Sequence, residues 1–205
     1  MRIGIDFDNT LACYDHLFAA AAAAHGLSEI AAGEAKRVLR DSLRGRPEGE
    51  LAWQAVQAEI YGARMADAVV RPGAGEFLLT CRAAGAAVFV ISHKTKRAAA
   101  DSRGIDLHLA ALNWMTDKGF FAADGYGLDP ACVFFEPTRP AKIARIAALR
   151  CTHFIDDLEE VLCAPDFPSG VRRYLIGGPP SGRADLKAYS TWQGISDDVF
   201  RNRAA

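Results

Sequence analysis

The chain lacks an excess of charge of either sign: 24 Lys and Arg stand against 25 Asp and Glu, for a net charge of -1. That balance supplies no electrostatic footprint for a nucleic acid or an anionic membrane surface, and neither is expected as a partner. Long apolar runs are missing too. The longest, Leu17 to Ala24, is too short to span a bilayer. Cysteine is sparse and unpaired in pattern. Cys13, Cys81, Cys132, Cys151 and Cys163 form no CxxC motif and are odd in number, which argues against a disulfide framework or a thiolate metal site. They are expected as reduced thiols in a cytoplasmic protein. The first residues enter a strand pattern directly, so no signal peptide is expected ahead of them. There is no internal repeat, and low complexity is confined to the alanines around positions 19–24.

What is present is an alternation of strand and helix signals. Arg2-Ile3-Gly4-Ile5 is short, apolar and β-prone, and reads as a buried strand. Residues 13–71 then carry almost no strand signal. Ala19 to Ala24 favour helix, and Glu34 to Leu43 and Leu51 to Tyr61 have helical spacing. From Arg71-Pro72-Gly73 onward the pattern changes. Glu76 to Ala84 reads as a helix with Gly85 as its C-terminal cap. Ala87 to Ile91 reads as a strand stopping at Ser92, and Leu107 to Lys118 as a helix. Cys132 to Phe135 is a third strand, Ala141 to Leu149 a helix, and Thr152 to Ile155 a strand stopping at Asp156-Asp157. Arg172 to Ile176 reads as the last strand. Such alternation predicts an α/β fold with a parallel, doubly wound sheet.

The chemistry collects at the strand ends. The first strand delivers Asp6-Phe7-Asp8-Asn9-Thr10, two carboxylates two residues apart. Like charges that close repel unless a cation intervenes. Ser92 and Asp156/Asp157 end two other strands. In an open α/β sheet ligands bind beyond the carboxyl ends of the strands, so these residues can meet in one crevice. Four carboxylates there need a neutralising cation. A hard divalent ion with oxygen ligands, Mg²⁺ above all where phosphate is handled, suits them.

Asp6-Phe7-Asp8-Asn9-Thr10, the strand-end Ser92, Lys142 opening a later helix and the apolar strand ending in Asp156-Asp157 resemble, in order and placement, the four motifs of the haloacid dehalogenase superfamily. The resemblance implies a Rossmann-like core of residues 1–12 and 72–205 and a small helical cap inserted as residues 13–71. It also implies a Mg²⁺-dependent phosphomonoester hydrolase acting on a small phosphorylated metabolite. Asp6 would be the nucleophile, forming an aspartyl-phosphate. Asp8 would be the general acid and then the base; the dehalogenase branch lacks this second aspartate. The metal would take the Asp6 carboxylate, the Asp8 main-chain carbonyl and Asp156, with Asp157 supporting it directly or through water. Thr10 would fix the turn after the nucleophile. Ser92 and Lys142 would hold the phosphoryl oxygens, with His93 and Lys94 at the substrate side. Transfer to an acceptor other than water, or a catalytically silent binding module, are the rival readings.

The residues themselves leave structural alternatives open. Ser92 can cap a helix running through Arg97, and Asp6 or Asp156-Asp157 can cap the segments that follow them. Arg139 or Lys94 can supply the cation assigned to Lys142. Arg37, Arg40 and Arg44 share a helix face that reads first as a solvated surface. Trp53, Gln57 and Tyr61 share another that reads as core, and His153 reads as a sheet residue. Ser190 to Ile195 is similar to the C-terminal helix of some nucleotidase-like members and is expected to dock on the sheet.

Overall fold

The computed structural model of the chain describes residues 1–27, 30–98, 100–178 and 182–201. The chain divides into two compact units: Met1–Ala12, Val70–Lys94 and Met115–Ala205 form the first, and Cys13–Val69 with Thr95–Trp114 form the second.

The first unit is built on a six-stranded parallel sheet. Its strands are β1 (Arg2–Ile5), β4 (Ala87–His93), β5 (Val133–Glu136), β6 (His153–Asp156), β7 (Arg172–Ile176) and β8 (Leu186–Tyr189), in the spatial order β5-β4-β1-β6-β7-β8. Two short strands, β2 (Ala12–Cys13) and β3 (Val69–Val70), lie where the chain passes between the units. Successive strands step outward from β1 to one edge, return across the sheet to β6, and step outward to the other edge. This is an α/β, Rossmann-like doubly wound core, and the strand order reverses between β1 and β6.

β1 is central and buried, which explains its run of apolar residues without polar alternation. Ile5 is in register with Val90 on one side and Ile155 on the other. The residues following these positions therefore emerge side by side at one edge. Gly4 faces the aromatic ring of Phe154; a Cβ there would lie 2.5 Å from that ring and 3.1 Å from the Cys151 sulfur. On this face Phe89, Ile91, Phe154 and Leu175 from the strands pack with Ile143 and Ile146 of α6 (Arg139–Ala148) and with Val161 and Leu162 of α7 (Glu159–Leu162). α4 (Ala74–Ala83) packs on β4 and pairs with α8 (Trp192–Arg201), where Phe77 meets Trp192 at 4.9 Å.

β8 corrects the reading of β7 as the last strand. Leu186-Lys187-Ala188-Tyr189 buries only Leu186 fully and has no β-branched residue, so its strand signal is weak.

The second unit is helical. α1 (Asp15–Ala24), α2 (Ala32–Arg44) and α3 (Gly49–Ala58) are followed by a π-helical turn at Glu59–Ala63. Tyr14, Phe18, Trp53 and Tyr61 form its aromatic core, with ring centroids 4.9 to 5.9 Å apart. Residues 95–114, read from the sequence as part of the core, belong to this unit instead. Arg103 pairs with Glu59 at 2.9 Å, Leu107 and Ile105 pack against Gly62, and the Trp114 indole donates to the Ala68 carbonyl at 2.8 Å. These pairings link the segment to residues 43 to 46 positions away, which local patterns do not reveal. α5 (Leu107–Asp117) carries the chain back to the first unit. Among the described residues no helix is long and apolar enough to cross a membrane.

Candidate active site

The site lies in the first unit at the carboxyl edge of the sheet, beside the point where strand order reverses. Asp6 follows β1 and is 4 % exposed, its backbone N–H bonded to the Ile155 carbonyl at 2.9 Å. The chain then turns sharply. The Phe7 carbonyl accepts N–H bonds from Leu11 and Ala12, both at 3.0 Å, and a longer one from Thr10 at 3.4 Å. Asn9 completes the turn at φ 58°, a left-handed conformation that Asn tolerates better than most residues. Arg71 braces it: its backbone N–H donates to the Leu11 carbonyl at 2.8 Å and its guanidinium donates to the Asn9 carbonyl.

Three elements converge on Asp6. The Ser92 hydroxyl, near the end of β4, donates to Asp6 Oδ1 at 2.9 Å. Lys142, in the first turns of α6, donates to the same oxygen at 2.6 Å and to Asp156 Oδ2 at 2.6 Å. Thr138 caps that helix, its hydroxyl accepting from the Ala141 N–H at 3.2 Å, and so sets the height from which Lys142 reaches in. Asp156 ends β6, is fully buried, and accepts the Leu158 N–H through its other oxygen at 2.9 Å. Asp157 completes the group. Asp6, Asp156 and Asp157 each offer a carboxylate oxygen, all within 4.8 Å of one another.

The electrostatics follow from this packing. Burial pushes the Asp156 carboxyl up, against the pull of the Lys142 ammonium. Burial also works against the charge on Lys142, but Asp6 and Asp156 outweigh it and hold that pKa above the usual lysine range. Lys142 is therefore a fixed cation. One ammonium facing three carboxylates leaves two negative charges over, enough for one divalent cation. The donors are all oxygen, which selects a hard ion such as Mg²⁺. Asp6, Asp156 and Asp157 thus fit the metal that the sequence predicts. The carboxylate of Asp8 lies outside the group, leaving only its main-chain carbonyl for that role.

Several expectations change at this level. Lys142, not Arg139 or Lys94, stands against Asp6; Arg139 pairs with Glu160 at the surface. Lys94 is buried with its ammonium on both oxygens of Asp8, at 2.9 and 3.0 Å, so the cation placed on the substrate side is bound to a site carboxylate. Ser92 caps no helix: β4 runs on to His93, and no helix is found among the described residues of 94–106. His93 is exposed, and strand alternation turns it to the face opposite Ser92. The Thr10 hydroxyl is buried with no hydrogen-bond partner, so the turn is fixed by backbone bonds and Arg71 rather than by that side chain. In the second unit Arg37, Arg40 and Arg44 pair with Glu34, Asp41 and Glu50 on an exposed face. Arg71 is the supporting residue that sequence reasoning missed; nothing in its Arg-Pro-Gly context signals a partner 62 residues away.

No family model matches the chain, and no curated protein is similar to it in sequence. Solved structures are similar in fold. A HAD-family hydrolase from Deinococcus radiodurans R1, solved with bound phosphate and sodium, has a TM-score of 0.59 at 14% identity, covering 98% of this chain and 95% of its own. A haloacid dehalogenase-like hydrolase from Bacteroides fragilis gives 0.57 at 18% identity, over 95% of this chain and 99% of that one. A HAD-superfamily hydrolase from Ehrlichia chaffeensis gives 0.52 at 13% identity, over 98% and 96%. The fold is that of the haloacid dehalogenase-like hydrolases.

Proposed function

We propose that the protein is a Mg²⁺-dependent phosphomonoester hydrolase that works through an aspartyl-phosphate on a small phosphorylated metabolite. One observation carries this reading: the Lys142 ammonium lies 2.6 Å from both Asp6 and Asp156, with the Ser92 hydroxyl on the same Asp6 oxygen. That arrangement presents an anchored carboxylate nucleophile among donors suited to phosphoryl oxygens. The phosphate held by the Deinococcus radiodurans structure of similar fold is in keeping with it.

In this reading an Asp6 oxygen attacks phosphorus while the bond to the leaving oxygen breaks. The proton on the Asp8 carboxyl passes to that oxygen, releasing the alcohol. Water then attacks the aspartyl-phosphate and gives its proton to Asp8; the bond from phosphorus to Asp6 breaks and inorganic phosphate leaves. Ser92 and Lys142 hold the transferring oxygens through both steps. Mg²⁺, held by Asp6, Asp156 and Asp157, would supply the charge neutralisation that lets an anionic ester approach an anionic nucleophile.

The test is hydrolysis of 4-nitrophenyl phosphate with Mg²⁺, with EDTA, and by the Asp6→Asn variant. Activity is expected only in the first case. Turnover that survives Asp6→Asn, or its absence with Mg²⁺ across a panel of phosphorylated metabolites, overturns the reading.

A further inference from the structure

The bidentate pairing of Lys94 with Asp8 has no part in holding the metal or the nucleophile. We propose that Lys94 is a positioning residue, which aims the Asp8 carboxyl at the leaving oxygen; the inference rests on the hydrolase reading above.

Three observations fix the ammonium in place. The Lys94 backbone N–H donates to the Glu136 carbonyl at the end of β5, at 2.9 Å, which ties its main chain to the neighbouring strand. Its side chain is only 4 % exposed. Its Nζ lies 5.5 Å from the centroid of the Phe7 ring, a favourable seat for a cation. Asp8, by contrast, sits on the turn between β1 and Asn9, with a side chain 20 % exposed. A carboxylate on such a turn has several rotamers open to it, and holding one costs entropy unless a fixed partner selects it. Lys94 is that partner.

The same geometry argues against a phosphate ligand for Lys94. A phosphate would have to displace a carboxylate bonded through both oxygens at 2.9 and 3.0 Å. Positioning also explains why the cation comes from just past the end of β4. Ser92 and Lys94 lie two residues apart, and one sets the nucleophile while the other sets the acid.

Leaving-group dependence tests this. 4-Nitrophenolate departs readily without a proton; phenolate needs one more. In Lys94→Gln, kcat/KM, which covers only the steps through departure of the alcohol, should fall about 100-fold on phenyl phosphate but about tenfold or less on 4-nitrophenyl phosphate. Lys94→Arg should restore most of the phenyl phosphate rate. In an Asp8→Asn background, Lys94→Gln should cost nothing more on either ester, because a residue that acts through Asp8 has no effect without it. Lys94→Met, uncharged and similar in length, is read in the same way should Lys94→Gln fail to fold. Equal losses on the two esters, or losses that add to those of Asp8→Asn, overturn the inference and leave the hydrolase reading intact. A wild-type protein inactive on both esters and across the metabolite panel removes the hydrolase reading, and this inference with it.

Discussion

Lys142 and Asp6 are 136 residues apart in the chain and 2.6 Å apart in the fold. The contact joins α6 to the end of β1, and the same ammonium also neutralises Asp156. Two buried carboxylates thus depend on one lysine. Breaking such a group by removing one partner leaves uncompensated charge in a dry place, at a cost of about 3–5 kcal/mol. Lys142→Gln is therefore expected to lower thermal stability sharply and, on the proposed function, to abolish hydrolysis of phosphate esters. It should also widen the gap between melting temperatures in Mg²⁺ and in EDTA, since the metal becomes the remaining counter-charge. Scanning calorimetry in the two buffers checks both points.

Asp157 offers a cleaner separation of metal binding from folding. It is half-buried, whereas Asp156 is wholly buried and accepts the Leu158 N–H. Asp157→Asn should lower the melting temperature in EDTA by less than Asp156→Asn does. It should weaken Mg²⁺ binding by about 10- to 100-fold, the usual range for losing support at a metal site. Titration calorimetry with MgCl₂ measures this directly. Unchanged affinity would remove Asp157 from the ligand set.

How much of this was legible in the sequence depends on the range of the interaction. Asp6, Ser92 and Asp156 could be read because each ends a buried strand, and parallel strands share one carboxyl edge. Their meeting follows from topology without knowledge of any contact. Lys142 was placed by the resemblance rather than by any local pattern. Residues 95–106 were not legible. Asp101 accepts the N–H groups of Arg103 and Ile105 and pairs with the Arg103 guanidinium, an order that periodicity does not encode. The pairing of Lys94 with Asp8 was missed for another reason: a lysine just past a strand end reads as a cation for the substrate until the turn bearing Asp8 is placed beside it.

Two glycines should separate stability from activity. At Gly4, in the middle of β1, a Cβ would press into Phe154. Gly4→Ala is expected to cost about 1–3 kcal/mol by overpacking, seen as a lower denaturation midpoint in urea. Gly177 follows β7 at φ 79°, and a Cβ there would collide with the guanidinium of Arg71. Gly177→Ala should therefore displace the side chain that holds the Asn9 carbonyl. The kcat on 4-nitrophenyl phosphate should fall more than the melting temperature predicts, and Arg71→Ala should reproduce the loss. A Gly177→Ala protein with full activity would show that the turn holds itself.

The cysteines give a prediction independent of catalysis. Cys81, on α4, is wholly buried, and burial pushes its thiol up to about 12. Cys151 lies under β1 and is pushed up to about 11 by the same cause. Cys13, Cys132 and Cys163 are half-buried, and all five are free thiols. Since the thiolate is the reactive form, a disulfide reagent at pH 8 should label at most the last three in the native protein and all five after unfolding. Linkage adds a second readout. A thiol whose folded pKa is raised favours the neutral form, so its contribution to stability is complete below the unfolded pKa of about 8.5. That contribution is lost as pH rises from there toward the folded values of about 12 and 11. By about pH 9.5 each of the two buried thiols should have cost roughly 1 kcal/mol. Cys81→Ala removes one of these terms, so its stability should decline less steeply than that of the wild type between pH 8.5 and 9.5. Rapid labelling of Cys81 in the native protein at pH 8 would mean that α4 does not stay seated on β4.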